Sequence, residues 1–260
     1  MENRLEELLR LAVGDPGHRP EFYRVFLESE VFVIGSHGGA TGPVRLQPGE
    51  RLSILSWRQS DGAVFIPIFS SVELLKEALS HPAGYVAIRA RDLLESTRGS
   101  RLVLNPRSST GKGFPPEEVE MLLRGEIPGA GPEERVIEKH TRVLLGQPTT
   151  PPETLLTALR TLFAKRPTVR SAALGIMALD GSAQDAELIV GIDAGGDFRS
   201  VLGEAGPVAS DAVDAGVPVN FVDLCSQADA VVRFLRDDVE PFYQRGIGGL
   251  PRSYISSKDN

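Results

Sequence analysis

Glycines and hydroxyls around a lysine are what a phosphate cradle is built from, and residues 108–113 read Ser-Ser-Thr-Gly-Lys-Gly. A P-loop needs two glycines separated by four residues, then Lys and Ser or Thr, so that backbone N–H groups ring the phosphate at a helix N-terminus. With Gly111 and Lys112 as the second glycine and the lysine, Pro106 stands where the first glycine belongs and Gly113 where the hydroxyl belongs. The pattern fails at both ends. Glu117 and Glu118 then open the next helical stretch, where their carboxylates take the positive end of the helix dipole and repel a phosphate. The stretch therefore reads as a flexible turn, entered at Asn105-Pro106 with the Asn side chain bonded to nearby backbone. Phe114 is placed to staple onto the following helix.

Cys225, the one cysteine, follows the apolar run "VNFVDL" and opens a helical stretch, a place where the dipole can lower a thiol pKa. Against a reactive thiol stand the frequency with which free Cys is simply buried and the lack of a histidine nearby in sequence to act as its base. Cys225 is thus the sole catalytic candidate, outweighed by its structural reading. His18, His37, His81 and His140 are far apart and show no metal-ligand spacing, so no metal site is expected. The Gly-rich "GSHGGATG" at 35–42 lacks a dinucleotide fingerprint and precedes no obvious helix, so no cofactor is expected and the segment reads as a mobile surface loop. In "VEPFYQR", Pro241 disfavours helical geometry at Glu240 and puts Phe242 and Tyr243 at a break. Beside Arg245 these aromatics are the residue types that anchor protein interfaces. They are equally suited to pinning the C-terminus onto its own domain, and Phe242, Tyr243 and Arg245 are the binding candidates on the first reading.

The elements that must position these residues follow from periodicity. "NRLEELLRLAV" places Leu5, Leu8, Leu9 and Ala12 on one helical face, with Asn3 to cap it and Gly14 to end it. A second helix, "RPEFYRVFLESE", precedes the apolar run "VFVIG". "RLSILSWRQSDGAVFIPIF" reads as a β-hairpin turning at Ser60-Asp61-Gly62, where Asp-Gly supplies a positive φ. Helices and strands then alternate through "SSVELLKEALS", "GYVAIR", "ARDLLEST", "RLVLN" and "PPEEVEMLLR", which implies helices packed on a mixed sheet. A Gly/Pro-rich connection at 129–152, with one strand in "RVIEKHTRVLLG", separates domains at 1–128 and 153–260. The second domain reads helix ("PPETLLTALRTLFAKRP"), strands ("VRSAALGIMAL", "AELIVGIDA"), helix ("DFRSVLGEAGPVASDAV"), strand ("PVNFVDL"), a last helix ("SQADAVVRFLRDDVEPFYQR") and a loop-like tail. The expected class is α/β (α+β), two domains, each a mixed β-sheet packed against helices.

Composition narrows the function classes. The chain has 260 residues, 41% hydrophobic and 24% charged, with no apolar window of the roughly 20 residues a membrane helix needs. Its N-terminus has neither a basic start nor a long apolar run, so a cytoplasmic location without a secretory signal is expected. A net charge of -7 with scattered Lys and Arg argues against nucleic acid as a partner. What is left is a protein or small-molecule partner.

Three stretches of the first half, "NRLEELLRLAVGDPGHRPEFYRVFLESEVFV", "DGAVFIPIFSS" and "LVLNPRSSTGKGFPPEEVEMLLRG", resemble the bacterial enhanced serine sensitivity (SseB) family. The second half is similar to that family's C-terminal domain through "PPETLLTALRTLFAKRPTVRSAALGIM" and "VDLCSQADAVVRFLRDDVEPFYQR". The resemblance implies a two-domain bacterial cytoplasmic protein associated with a serine-sensitivity phenotype on overproduction, and it brings no catalytic residues. The resulting expectation is a non-enzymatic binding or regulatory protein. The alternative is an enzyme of sulfur or amino-acid metabolism that uses Cys225 as nucleophile.

Overall fold

The structure is a computed structural model that describes residues 3–37, 42–43, 52–81, 83–129, 143–179, 186–227 and 229–246. It divides into two compact units, Met1–Gly14 with Arg19–Pro128, and Asp15–His18 with Gly129–Asn260. The class is α/β, each unit a mixed sheet packed against helices.

The first unit starts with helices α1 (Arg4–Gly14) and α2 (Arg19–Glu28). Asn3 caps α1 as the sequence predicts: its Oδ1 accepts from Glu6 N–H at 2.9 Å while the Glu6 carboxylate accepts from Asn3 N–H at 3.3 Å, a reciprocal capping box. Strands β1 (Glu30–His37), β2 (Gly42–Pro43), β3 (Leu52–Ile54), β4 (Trp57–Arg58) and β5 (Val64–Phe69) come next. They are followed by α3 (Val72–Ala78), β6 (Tyr85–Arg89), α4 (Ala90–Ser96), β7 (Leu102–Leu104), β8 (Lys112–Phe114) and α5 (Pro116–Leu123). The strand order is β2-β6-β1-β5-β7-β8, with β3 on β1 and β4 on β5.

The period-two alternation decides what each face of this sheet touches. Val33 of β1, cross-strand from Ile68 and Val86, shares a core with Leu102 and Leu104 and with α1, α2, α4 and α5. Phe32, paired with Phe69, lies on the opposite face with Leu75 and Ala78 of α3. The β4–β5 hairpin forms as expected. Gly62 N–H donates to Gln59 O and Gly62 has φ 89, which is the three-residue loop with a left-handed glycine. Of the Gly-rich segment, Gly35, Ser36 and His37 continue β1, whereas residues 38–41 lie outside the described residues.

The opening motif is not one continuous turn. The chain reverses between Asn105 and Gly111, and Lys112–Phe114 is strand, Leu104 facing Lys112 across the ladder. Nor is the Asn105 side chain bonded within its own turn. Its Oδ1 accepts from Ser70 N–H and its Nδ2 donates to Ser70 Oγ, each at 2.9 Å, which holds Asn105 at φ 50 against the end of β5. Phe114 is fully buried, stacks on Phe26 with centroids 4.7 Å apart, and shares its core with Val119 at the staple position of α5.

The second unit comprises β9 (Val143–Gly146), α6 (Glu153–Ala164), β10 (Ser171–Leu179), β11 (Glu187–Asp193), α7 (Phe198–Ala212), β12 (Val219–Asp223), α8 (Ala230–Arg233) and β13 (Tyr243–Gln244). The order is β12-β11-β10-β13, with β9 also on β10. β11 and β12 are parallel and joined through α7, and the other pairs are antiparallel. Ala172, Leu174, Val190 and Ile192 face α6 and α7, while Ala173, Met177 and Ile189 face Val231, Val232 and Leu235. Gly191 makes that second packing feasible, since a Cβ there would come within 2.6 Å of Leu224 Cδ2. Within α7, Glu204 is only 7% exposed and pairs with Arg166 (Nε to Oε2 2.8 Å).

The expected last helix is shorter than its sequence pattern. Its α-helical part covers Ala230–Arg233, a π-helical turn covers Phe234–Asp238, and the chain is extended beyond Val239. Pro241 has no N–H to continue the helix and biases Glu240 away from it. Tyr243 and Gln244 pair instead with Ala172 and Ser171. The early part of the strand-like run at 135–146, His140 included, and the tail at 247–260 lie outside the described residues. Among the described residues no helix is long and apolar enough to cross a membrane.

Candidate functional site

Parallel strands present their carboxyl ends to ligands in open α/β sheets, and Cys225 lies at that edge of the second sheet. Asp193 ends β11, Asp223 ends β12, and Cys225 follows two residues later, its N–H donating to Asp223 Oδ1 at 2.8 Å. The exposed thiol donates to Asp193 Oδ1 at 3.1 Å. That carboxylate also accepts from Arg170 (Nε at 3.0 Å, Nη2 at 2.8 Å) and from Gly195 N–H at 3.3 Å. The hydrogen bond to Asp193, reinforced by desolvation and the negative charge of Asp193 and Asp223, pushes the thiol pKa above its ordinary value. A thiolate is the nucleophile in cysteine chemistry, and this arrangement favours the thiol.

The C-terminal candidates pack on α6 of their own unit. Tyr243 is buried at 3% exposure and donates its hydroxyl to Phe163 O at 3.1 Å. Phe242 is half-buried, its ring 6.3 Å from that of Phe163 and 5.9 Å from the Arg160 guanidinium. Arg245 donates to Phe163 O (2.8 Å), Arg166 O (2.7 Å) and Val169 O (2.9 Å). It thereby adds a charged donor to carbonyls at the end of α6 and in the turn after it, where Phe163 O and Arg166 O also accept from Arg166 N–H and Val169 N–H. Tyr243 has no surface to offer a partner; Phe242 and Arg245 keep part of theirs.

A third location was not assigned any site from the sequence. In the first unit a cavity of about 330 Å³ is lined on its apolar side by Leu9, Ala12, Val13 and Phe22, and on its polar side by Arg19, Tyr23 and Lys112. Lys112 Nζ donates to Glu118 Oε2 and to Gly113 O, both at 2.8 Å, and Tyr23 donates its hydroxyl to Glu118 Oε1 at 2.9 Å. Burial, followed by the Glu118 charge, raises the Tyr23 pKa, so the phenol stays protonated and remains a donor. Glu118, read from the sequence as an obstacle to phosphate, is the acid that holds Lys112 in place. The sequence signal was the lysine in "SSTGKG"; Tyr23 lies 95 residues from Glu118, a separation no local pattern bridges.

Models of the SseB protein N-terminal domain and C-terminal domain match residues 5–121 and 137–245. The chain belongs to the SseB family. It is 32% identical over 257 residues to "Protein SseB" of Escherichia coli (strain K12), covering 99% of this chain and 98% of the relative, and equally to that of Shigella flexneri. No solved structure matches. The stretches that carry the SseB likeness meet in a polar knot. Ser70 Oγ donates to Glu6 Oε1 at 2.7 Å, Asn3 Nδ2 donates to Ser70 O at 2.9 Å, and Asn105 closes the group on Ser70.

Proposed function

We propose that this member of the SseB family is a non-enzymatic bacterial binding or regulatory protein that acts in the cytoplasm on a protein or small ligand and, through its family, bears on serine sensitivity. The observation that carries this reading is the state of Cys225. A thiol bonded to Asp193, with its pKa raised, is poorly prepared for nucleophilic work, and that weakens the thiol-enzyme alternative. The cavity beside Lys112 and the partly exposed Phe242 and Arg245 are surfaces on which binding can act.

Growth on serine during overproduction tests the reading. A Cys225→Ser variant at matched expression is expected to give the same serine sensitivity as the parent. Loss of the phenotype, with the melting temperature unchanged, would instead make Cys225 a nucleophile.

A further inference from the structure

We infer that β12, the open edge of the second sheet, takes an extended segment of a partner protein as an added strand, a segment with lysine or arginine at its ends. This names the partner class of the binding reading and rests on it. β12 ends the strand order β12-β11-β10-β13 and, among the described residues, pairs with β11 alone. Leu224 N–H donates to Ile192 O at 3.0 Å. The period of two then turns the N–H and C=O groups of Asn220 and Val222 towards β11, and those of Val219 and Phe221 away from it. Together with Asp223 N–H these outward groups form an open row. Ser226 ends the row, since its N–H and Oγ both donate to Asp223 O, at 3.1 and 2.7 Å.

The other sheet ends are defended and this one is not. Short edge strands and edge lysines are devices against unwanted pairing. The first sheet ends in β2 and β8, which are two and three residues long, and β8 carries Lys112. The far side of the second sheet is divided between β9 and the two-residue β13. β12 instead keeps an unbroken register with β11 from Val219 to Asp223, and Val-Asn-Phe-Val-Asp contains no Lys, Pro or bulge. All five residues are half-buried. Val219 and Phe221 pack against the core beneath α7, and Val222 against the core beneath α8. An added strand therefore gains main-chain hydrogen bonds and lays alternate side chains beside Val219 and Phe221.

Charge chooses the guest. No Lys or Arg occurs between Arg199 and Arg233. Asp214 lies just before β12 and Asp223 ends it, and neither has a cationic partner among the described residues. Asp223 Oδ1 accepts from the neutral Cys225 N–H at 2.8 Å, which leaves its charge in place. Arg170, whose Nη2 lies 3.8 Å from Cys225 Sγ, is engaged by Asp193. A second copy of this chain is the poorer occupant. Antiparallel pairing of two β12 strands about Phe221 sets Asp223 of each copy opposite Val219 of the other, towards that copy's Asp214, acid towards acid. A segment with a basic residue at each end meets both carboxylates with the opposite sign.

Fluorescence anisotropy with the full chain tests the inference, with a labelled acetyl-Lys-Val-Thr-Val-Thr-Val-Lys-amide as probe. One control carries Glu in place of both Lys, and a second is N-methylated at every backbone amide. The basic probe is expected to bind saturably, the Glu peptide at least about tenfold more weakly, and the N-methylated peptide not at all, because it has no donors for the edge. Val219→Pro removes an outward N–H without touching the ladder to β11 and should weaken the probe at least about tenfold. Should that variant not fold, Asp214→Asn combined with Asp223→Asn decides, since Asn at 223 keeps an acceptor for Cys225 N–H. The pair should weaken the probe about threefold and flatten its salt dependence. No saturable binding of the probe at about 1 mM, equal binding of either control, or binding unchanged in the variants overturns the inference. Dimerisation of the parent that Val219→Pro abolishes would give the edge to a second copy and overturns it as well. If the inference fails while Cys225→Ser keeps the serine phenotype, only this edge is lost. If Cys225→Ser abolishes the phenotype, the broader binding reading falls whatever the edge binds.

Discussion

The Cys225 thiol donates a hydrogen bond to Asp193 Oδ1, and the carboxylate is kept in place by Arg170 and Gly195 N–H. The folded form favours the protonated thiol, so its pKa lies above the free value, and the small stabilisation it brings is present below the free pKa and fades as pH rises through the folded one. The rate of alkylation by iodoacetamide against pH should therefore show a midpoint above the free thiol value of about 8.5. Asp193→Asn, which removes the charge and the strong acceptor, should bring that midpoint down towards it. A parent midpoint below the free value would contradict the geometry. Asn105 makes a second residue-scale case. Asn105→Gly retains the left-handed backbone but leaves Ser70 N–H without its acceptor, and should cost about 1–3 kcal/mol in urea denaturation. Asn105→Ala should cost about 1 kcal/mol more, because a Cβ is strained at φ 50.

At the scale of elements, Arg245 ties the strand-like C-terminal segment to the end of α6 through Phe163 O and to the segment after it through Arg166 O and Val169 O. Arg245→Met leaves those acceptors without their charged donor and should lower stability by about 2–3 kcal/mol, read from the denaturation midpoint at unchanged slope. Tyr243→Phe removes one neutral bond to Phe163 O and should cost about 0.5–1.5 kcal/mol. Local chemistry explains which elements were legible beforehand. The capping box at Asn3, the glycine turn at Gly62 and the break before Pro241 are each written in a few adjacent residues. β8 and β13 were not legible as strands. Lys-Gly-Phe and Tyr-Gln carry no alternation of their own and become strands because β7 and β10 offer them ladders. The π-helical turn at Phe234–Asp238 was likewise hidden inside a stretch whose apolar spacing suits an ordinary helix.

On the scale of the whole molecule, each sheet has its own core, and the two large clusters share no residue. Leu93, Ile68 and Leu104 belong to the first, and Leu159, Val190 and Ile192 to the second. The Gly/Pro-rich stretch near residue 129 interrupts two runs of regular periodicity, whereas no local pattern assigns Asp15–His18 to the second unit. The cavity was not legible, since its lining comes from α1, α2 and β8, brought together only by folding. Separate cores make a testable claim about cooperativity. Leu93 is fully buried, and Leu93→Ala should destabilise the first unit by about 2–5 kcal/mol. Native-state hydrogen exchange should then speed up at Ile68 and Leu104 by at least about thirtyfold, where opening of that unit controls exchange. Val190 and Ile192 should keep their parental rates, because no contact of their core has been removed. Equal acceleration at both sets of amides would mean that the chain opens as one cooperative body, and that the two cores, separate in their contacts, share a single unfolding equilibrium.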